Sequence, residues 1–347
     1  MERRPSKEKR RKLLTKTVKK PFRDVLKKVK IKEEVMVKKP SRIQDKVKML
    51  IGLLLVALTG LCWSAVGAAV SYCSKNGGNY SYIQGHNAFY SILISLTVLT
   101  FVTGWPDTPL PFLLKIGFLH FIAGIGNYVM FILMGQAMKK GHNGIVWALV
   151  QSGMIWSFLM GVFFFDVELT FSRGFGIFLI LLGIALFGVS KNKGDIQEHG
   201  KGWLLYAFGA FILVGAIHCC NNLPSYLVEA QKINGVFRSV AGTFGTMSCF
   251  LVASWFRPEL RIPGRRDLPI AITLLLLGCL SGYFLVYNGL NRLAEAGAGS
   301  IGFPIMVGVC IAGFTLYSVI IMREKNPPLL WLGFIATIVG IIFISLK

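Results

Sequence analysis

"FFFDVELTFSRGFGIFLILLGIALFGVS" (residues 163–190) and "IIMREKNPPLLWLGFIATIVGIIFISL" (residues 320–346) share one plan. Each runs from the end of an apolar segment through a short charged loop into an apolar helix with glycines seven residues apart. An offset of 157 places Gly176 and Gly183 on Gly333 and Gly340. Glycine pairs at this spacing are common in membrane helices, but the shared order of segment, loop and glycine helix is not. Upstream, "GNY" (126–128) lies opposite "SGY" (281–283) at an offset of 155. The chain therefore repeats at about half its length. Each half holds five apolar segments, an odd number, so the second half must be inverted relative to the first. Such repeats place a solute site at their interface near the bilayer midplane.

Composition agrees. Hydrophobic residues make up 54% of the 347 and charged residues 16%, with a mean hydropathy of +0.59, whereas soluble domains carry about a quarter charged residues. Roughly 20 apolar residues cross a bilayer. The sequence predicts spans at 49–72, 84–104, 111–136, 143–165, 172–190, 203–224, 234–256, 267–290, 298–322 and 329–346. Trp105, Trp203, Trp255 and Trp331 fall near span ends, as interfacial aromatics do. The expected fold is an all-α polytopic membrane protein, ten transmembrane helices forming two inverted five-helix repeats. Its divisions are a basic tail (1–48), a first repeat (49–190), a linker (191–202) and a second repeat (203–347).

The formal charge of +22 is uneven: residues 1–48 hold 20 Lys/Arg against 6 Asp/Glu, and the remainder carries only +8. The tail has neither aromatic stacking platforms nor zinc-finger spacing, so nucleic acid is not an expected partner. A disordered basic arm touching anionic lipid is expected, unless translation starts at Met36 or Met49. No cleavable signal peptide is apparent. With the N-terminus inside, loops alone give 12 external against 6 internal basic residues, counting Arg238 among the latter. Residues 29–48 raise the internal figure to 13, which favours both termini inside. The seven cysteines form no CxxC pair, so neither disulfide framework nor zinc site is expected.

With these spans in place, the chain resembles the drug/metabolite transporter superfamily with paired EamA-type repeats. The residues that carry the likeness are "CWS" (62–64), "REK" (323–325) and the glycine helices 172–190 and 329–346. There are departures. Val167, flanked by Asp166 and Glu168, stands where the second repeat has Glu324, and the mid-helix proline of each repeat's fourth helix is missing, Pro304 lying too early. Bacterial sugar-uptake branches of the superfamily look similar in this respect. The resemblance implies a secondary transporter working by alternating access. Small multidrug exporters of the superfamily keep a glutamate in the first helix. Here that helix offers Trp63 and Ser64, which disfavours a lipophilic-cation exporter.

No carboxylate falls in a span interior, so the candidate solute ligands are neutral. His120, Asn127 and Tyr128 lie along span three, and Trp147 and Gln151 stand i, i+4 on span four. His218 and Asn222 stand i, i+4 on span six, and Tyr283, Tyr287, Asn288 and Asn291 lie on span eight. With Trp63 they make a set of donors, acceptors and flat rings suited to a neutral polyol. Helix-to-helix hydrogen bonding is the alternative role for each. "VGAIHCCNNLPS" (214–225) suggests metal at first sight. Cys219 and Cys220, however, point about 100° apart on a helix, so His218 and Asn222 are read as lining a solute path.

The function expected is transport of a small polar metabolite, for instance a sugar. Export of amino acids or other metabolites, and a non-transport assembly role, are the alternatives. No cofactor or metal is expected and no enzyme activity, since HExxH and GxSxG are absent. The expected partners are the solute and membrane lipid, with a proton as a possible coupling ion carried by a histidine. The expected state is monomer or homodimer, in the cell membrane (the inner membrane in a bacterium).

Overall fold

The computed structural model describes residues 42–165, 167–190, 202–323 and 328–345. The basic tail up to residue 41, Asp166, most of the expected linker (191–201) and Glu324 and Lys325 of the "REK" loop lie outside the described residues. The helical body runs from Lys46 onward.

Among the described residues this body is helical throughout. Ten helices of 18 residues or more follow one another, with a one-turn helix, Val228–Gln231, between the sixth and seventh: α1 (Arg42–Lys75), α2 (Tyr80–Thr103), α3 (Leu110–Lys140), α4 (Asn143–Phe164), α5 (Phe171–Ser190), α6 (Trp203–Asn222), α7 (Gly235–Phe256), α8 (Asp267–Glu295), α9 (Gly302–Ile320) and α10 (Pro328–Ser345). Eight are long and apolar enough to cross a membrane; α5 and α10 carry the shorter apolar stretches Phe171–Leu186 and Trp331–Phe343. Large apolar side chains such as Phe101, Phe118, Phe163 and Leu205 face outward, the reverse of a water-soluble surface and what a lipid solvent requires. This is a polytopic membrane protein.

Polar residues set the helix ends. Asn79 caps α2 by accepting from Tyr82 N, and Asn234 caps α7 by accepting from Phe237 N at 2.8 Å. Pro224 stands where α6 passes into a 3₁₀ turn, Leu223–Tyr226, because it has no N–H to continue the ladder. Asp267, buried at the start of α8, accepts from Gly264 N at 2.7 Å and Asn79 N at 3.1 Å, tying the start of α2 to α8. Five ends differ from the expected spans by four residues or more: α3 runs on to Lys140 and α8 to Glu295, α9 starts only at Gly302, and the starts of α1 and α2 shift as well. α1 begins at Arg42, inside the expected tail, and α2 begins four residues before 84.

Glycines decide where the helices meet. A Cβ on Gly124 of α3 would collide with Gly242 O of α7, and one on Gly245 of α7 with Phe121 O of α3. Such backbone-to-backbone crossings are open only to small residues. α4 and α6 cross through Gly153 and Gly215, and α1 and α8 through Gly52 and Gly289. α5 and α10 run antiparallel: Gly183 abuts Gly333 and Thr337, and Gly340 abuts Gly176 and Ile180. α4 is the most enclosed span and packs between α6 and α9, its Trp147 ring 5.1 Å from that of Phe314. Two helices change to π-helical winding. α2 does so in its last turn, Leu99–Thr103, and α8 in its middle, Leu280–Leu285, where such a turn often marks a functional site.

One placement corrects the charge count made from loops. Arg238 does not stand in an exposed loop but is completely buried within the protein, in the first turn of α7. Its guanidinium is held by the carbonyl of Ala230, in the connection between α6 and α7, and by the face of the Tyr287 ring.

Candidate functional site

Two connected chambers lie among the helices. The first, of about 260 Å³, is lined by Trp63 of α1, Gln84 and Asn87 of α2, Asn127 of α3, Trp147 and Gln151 of α4, His218 and Asn221 of α6 and Tyr287 of α8, with apolar residues between them. The second, of about 210 Å³, is lined by His120 of α3, Arg238 and Thr243 of α7 and Tyr283 of α8, among others. Asn87, Asn127, Asn221 and Tyr287 line both, so the space is continuous. The π turn of α8 contributes Ser281 and Gly282 to the first chamber and Tyr283 to the second.

Ring stacking shapes the first chamber. Trp63 and His218 lie face to face, centroids 5.5 Å apart and planes 19° apart, and His218 meets Phe303 on another side at 5.0 Å. Both ring nitrogens of His218 are buried without a hydrogen-bond partner, as is Oε1 of Gln151. A buried polar atom left unpaired costs about 1–3 kcal/mol, so these atoms call for a polar occupant. Gly67 of α1 leaves the space into which the Trp147 ring reaches, since a Cβ there would come within 2.8 Å of it.

In the second chamber, Nδ1 of His120 faces Ile116 O at 2.9 Å. A carbonyl can only accept, so Nδ1 carries the hydrogen and Nε2, which has no partner, presents a lone pair in the neutral ring. The Tyr287 ring meets His120 edge-on at 5.8 Å and lies 5.1 Å from Cζ of Arg238, and its hydroxyl donates to Asn221 Oδ1 at 3.5 Å. The Tyr283 hydroxyl is engaged with Ser91 and Ser95 of α2, so its ring, rather than its hydroxyl, is free to face a solute. Among the described residues no Asp, Glu or Lys lines either chamber.

Of the twelve residues singled out from the sequence, eight reach the chambers: Trp63, His120, Asn127, Trp147, Gln151, His218, Tyr283 and Tyr287. Four do not. Tyr128 turns to α2 and bonds Ser81 Oγ at 2.5 Å; Asn288 is exposed and donates to Phe284 O of its own helix. Asn222 is buried outside the lining and Asn291 is half-buried near the end of α8. Gln84, Asn87, Asn221 and Arg238 take their places. Gln84 and Asn87 stand i, i+3 on α2, a signal lost because the expected span begins at Gln84. Cys219 and Cys220 are half-buried and line neither chamber, and among the described residues no group of three or more His, Cys, Asp or Glu could hold a metal.

Fold and site together describe a membrane protein with a central cavity whose largely apolar wall carries polar and aromatic side chains. Residues 50–189 match the model of the EamA-like transporter family, a family of membrane transporters. The resemblance to the drug/metabolite transporter superfamily is thereby supported over the first half of the chain. No curated protein matches the chain. Seventeen chains of solved structures match it. One, described only as a crystal structure of a protein, aligns over 87% of this chain and 96% of its own with a TM-score of 0.55 at 12% identity, a likeness of fold alone.

Proposed function

We propose that the protein is a secondary transporter that moves a small polar metabolite, of about the size of a monosaccharide, across the cell membrane by alternating access. In this reading 49–190 and 203–347 are inverted repeats joined by 191–202, and the chambers are the solute path between them. The observation that carries the proposal is the chamber wall: flat rings of Trp63 and His218 beside unpaired polar atoms of His218 and Gln151, drawn from helices of both halves. Its volume suits a small metabolite, since pockets for drug-sized ligands start at about 300 Å³. The reciprocal meeting of α5 and α10, Gly176 with Gly340 and Gly183 with Gly333, supports the two-fold relation.

The test is uptake and counterflow in proteoliposomes with a panel of sugars, polyols, amino acids and carboxylic acids. At least one solute should show saturable flux that Trp63→Ala lowers. An aromatic stack is worth about 0.5–1.5 kcal/mol beyond its buried area, so the loss should reach roughly tenfold in apparent affinity. Absence of saturable flux for every member would refute transport.

A further inference from the structure

Arg238 is the one charged side chain among the described residues that lines either chamber, and no acid there answers it. The guanidinium is completely buried. One nitrogen, Nη2, donates to Ala230 O at 2.5 Å, and the face of Tyr287 lies 5.1 Å from Cζ. Nε and Nη1 have no partner. The acid nearest to it in sequence, Glu229, sits on the surface turn Val228–Gln231 and pairs there with Lys232 at 3.3 Å. Arginine does not give up its proton in proteins, and an uncompensated buried charge is strongly unfavourable, most of all within a membrane. A carbonyl and an aromatic face hold such a cation in place but do not neutralise it.

The free nitrogens belong to a side chain that lines the second chamber, and the lining shared with the first allows one molecule to reach both. Unpaired guanidinium N–H groups match carboxylate and phosphate oxygens in forked geometry. We propose that the solute is a small organic anion, a carboxylate or phosphate ester. Arg238 holds its charged head in the second chamber, and its uncharged polar body lies against Trp63, Gln151 and His218 in the first. This rests on the transporter reading of the same cavity and replaces the neutral polyol expected from the sequence, an expectation that counts Arg238 among the loop residues. If the anion is present in one state of the cycle and absent in another, Arg238 is satisfied only when loaded.

The experiment uses the full chain, in nanodiscs for binding by thermal stabilisation and in proteoliposomes for flux. The probes are lactate beside lactamide, and glucuronate and glucose 6-phosphate beside glucose. Wild type should bind at least one anion with at least about tenfold higher affinity than its neutral counterpart, since breaking a buried charge pair costs that much or more. Whether lactate and glucuronate or glucose 6-phosphate shows the preference tells carboxylate from phosphate. R238Q should bring each pair to within about twofold, whereas R238K should keep a weakened preference, a point charge without the fork. Should R238Q fail to fold, the wild-type pairs and R238K decide. Neutral compounds binding as well as the anions, no binding of any anion, or a preference that survives in folded R238Q would overturn the proposal. Anion-selective binding without flux would uphold the subsite and refute transport; saturable glucose flux without anion preference would do the reverse.

Discussion

Gly124→Ala should destabilise the protein far more than Gly117→Ala, although both glycines lie on α3 and face α7. At Gly124 the added Cβ would overlap Gly242 O, which is backbone and cannot turn aside. Relief requires α3 and α7 to separate, an overpacking cost of about 1–3 kcal/mol. Separation also stretches the bond from Thr246 Oγ1 to Gly124 O, now 2.9 Å, and such bonds within membranes average about 0.6 kcal/mol. Against this stands the helix-propensity gain of alanine over glycine, up to about 1 kcal/mol, so the expected net loss is roughly 1–3 kcal/mol. At Gly117 the nearest atom is 3.5 Å away, on the Phe237 ring. That is ordinary contact, so Gly117→Ala should be neutral or stabilising by up to about 1 kcal/mol from helix propensity. Reversible unfolding in mixed micelles measures both. Equal stabilities for the two variants would mean that α3 and α7 do not cross backbone to backbone at Gly124.

Three further outcomes are expected. Gln151→Ala should weaken solute affinity by up to about tenfold, the worth of one hydrogen bond. Asn288→Ala, at an exposed side chain bonded within its own helix, should leave it unchanged; equal effects in an uptake assay would contradict the chamber lining. If uptake is driven by protons, the carrier should be a histidine, because no Asp or Glu lines the chambers among the described residues. His218→Gln should then abolish accumulation driven by a pH gradient while solute exchange continues, and wild-type pH dependence in both His218→Gln and His120→Gln would exclude this. Deleting residues 2–41 should leave uptake per inserted molecule near wild type, because the match to the transporter family begins only at residue 50; a correctly oriented but inactive truncation would refute it.

Hydropathy alone places the ten helices to within a few residues at most ends, because a span is defined by its solvent and not by its neighbours. The site is harder. His218 is legible as a polar side chain in a long apolar run. Ideal helical spacing makes Asn222 its companion, yet Asn221 lines the chambers, one residue earlier, just before α6 gives way to its 3₁₀ turn. Proximity in sequence groups Asn288 and Asn291 with Tyr287, but the π turn preceding them resets which face of α8 points inward. Arg238 shows the limit most plainly. A basic residue four positions into a predicted span looks like an interfacial charge, and only the Tyr287 ring from another helix and the Ala230 carbonyl reveal that it is enclosed.

The seam between α5 and α10 has the character of an isologous interface, the kind two identical chains make about a two-fold axis. Each contact occurs twice with roles exchanged: Gly183 against Gly333 at one end, Gly340 against Gly176 at the other. A surface of this type is its own complement. A five-helix unit bearing one such helix would carry, by itself, the patch needed to join an inverted copy, and fusing two copies would add a covalent link to an assembly already specified. The same symmetry makes the seam doubly sensitive, since a Cβ on the glycine meets opposing backbone at both ends of the joint, Gly333 O at Gly183 and Gly176 O at Gly340.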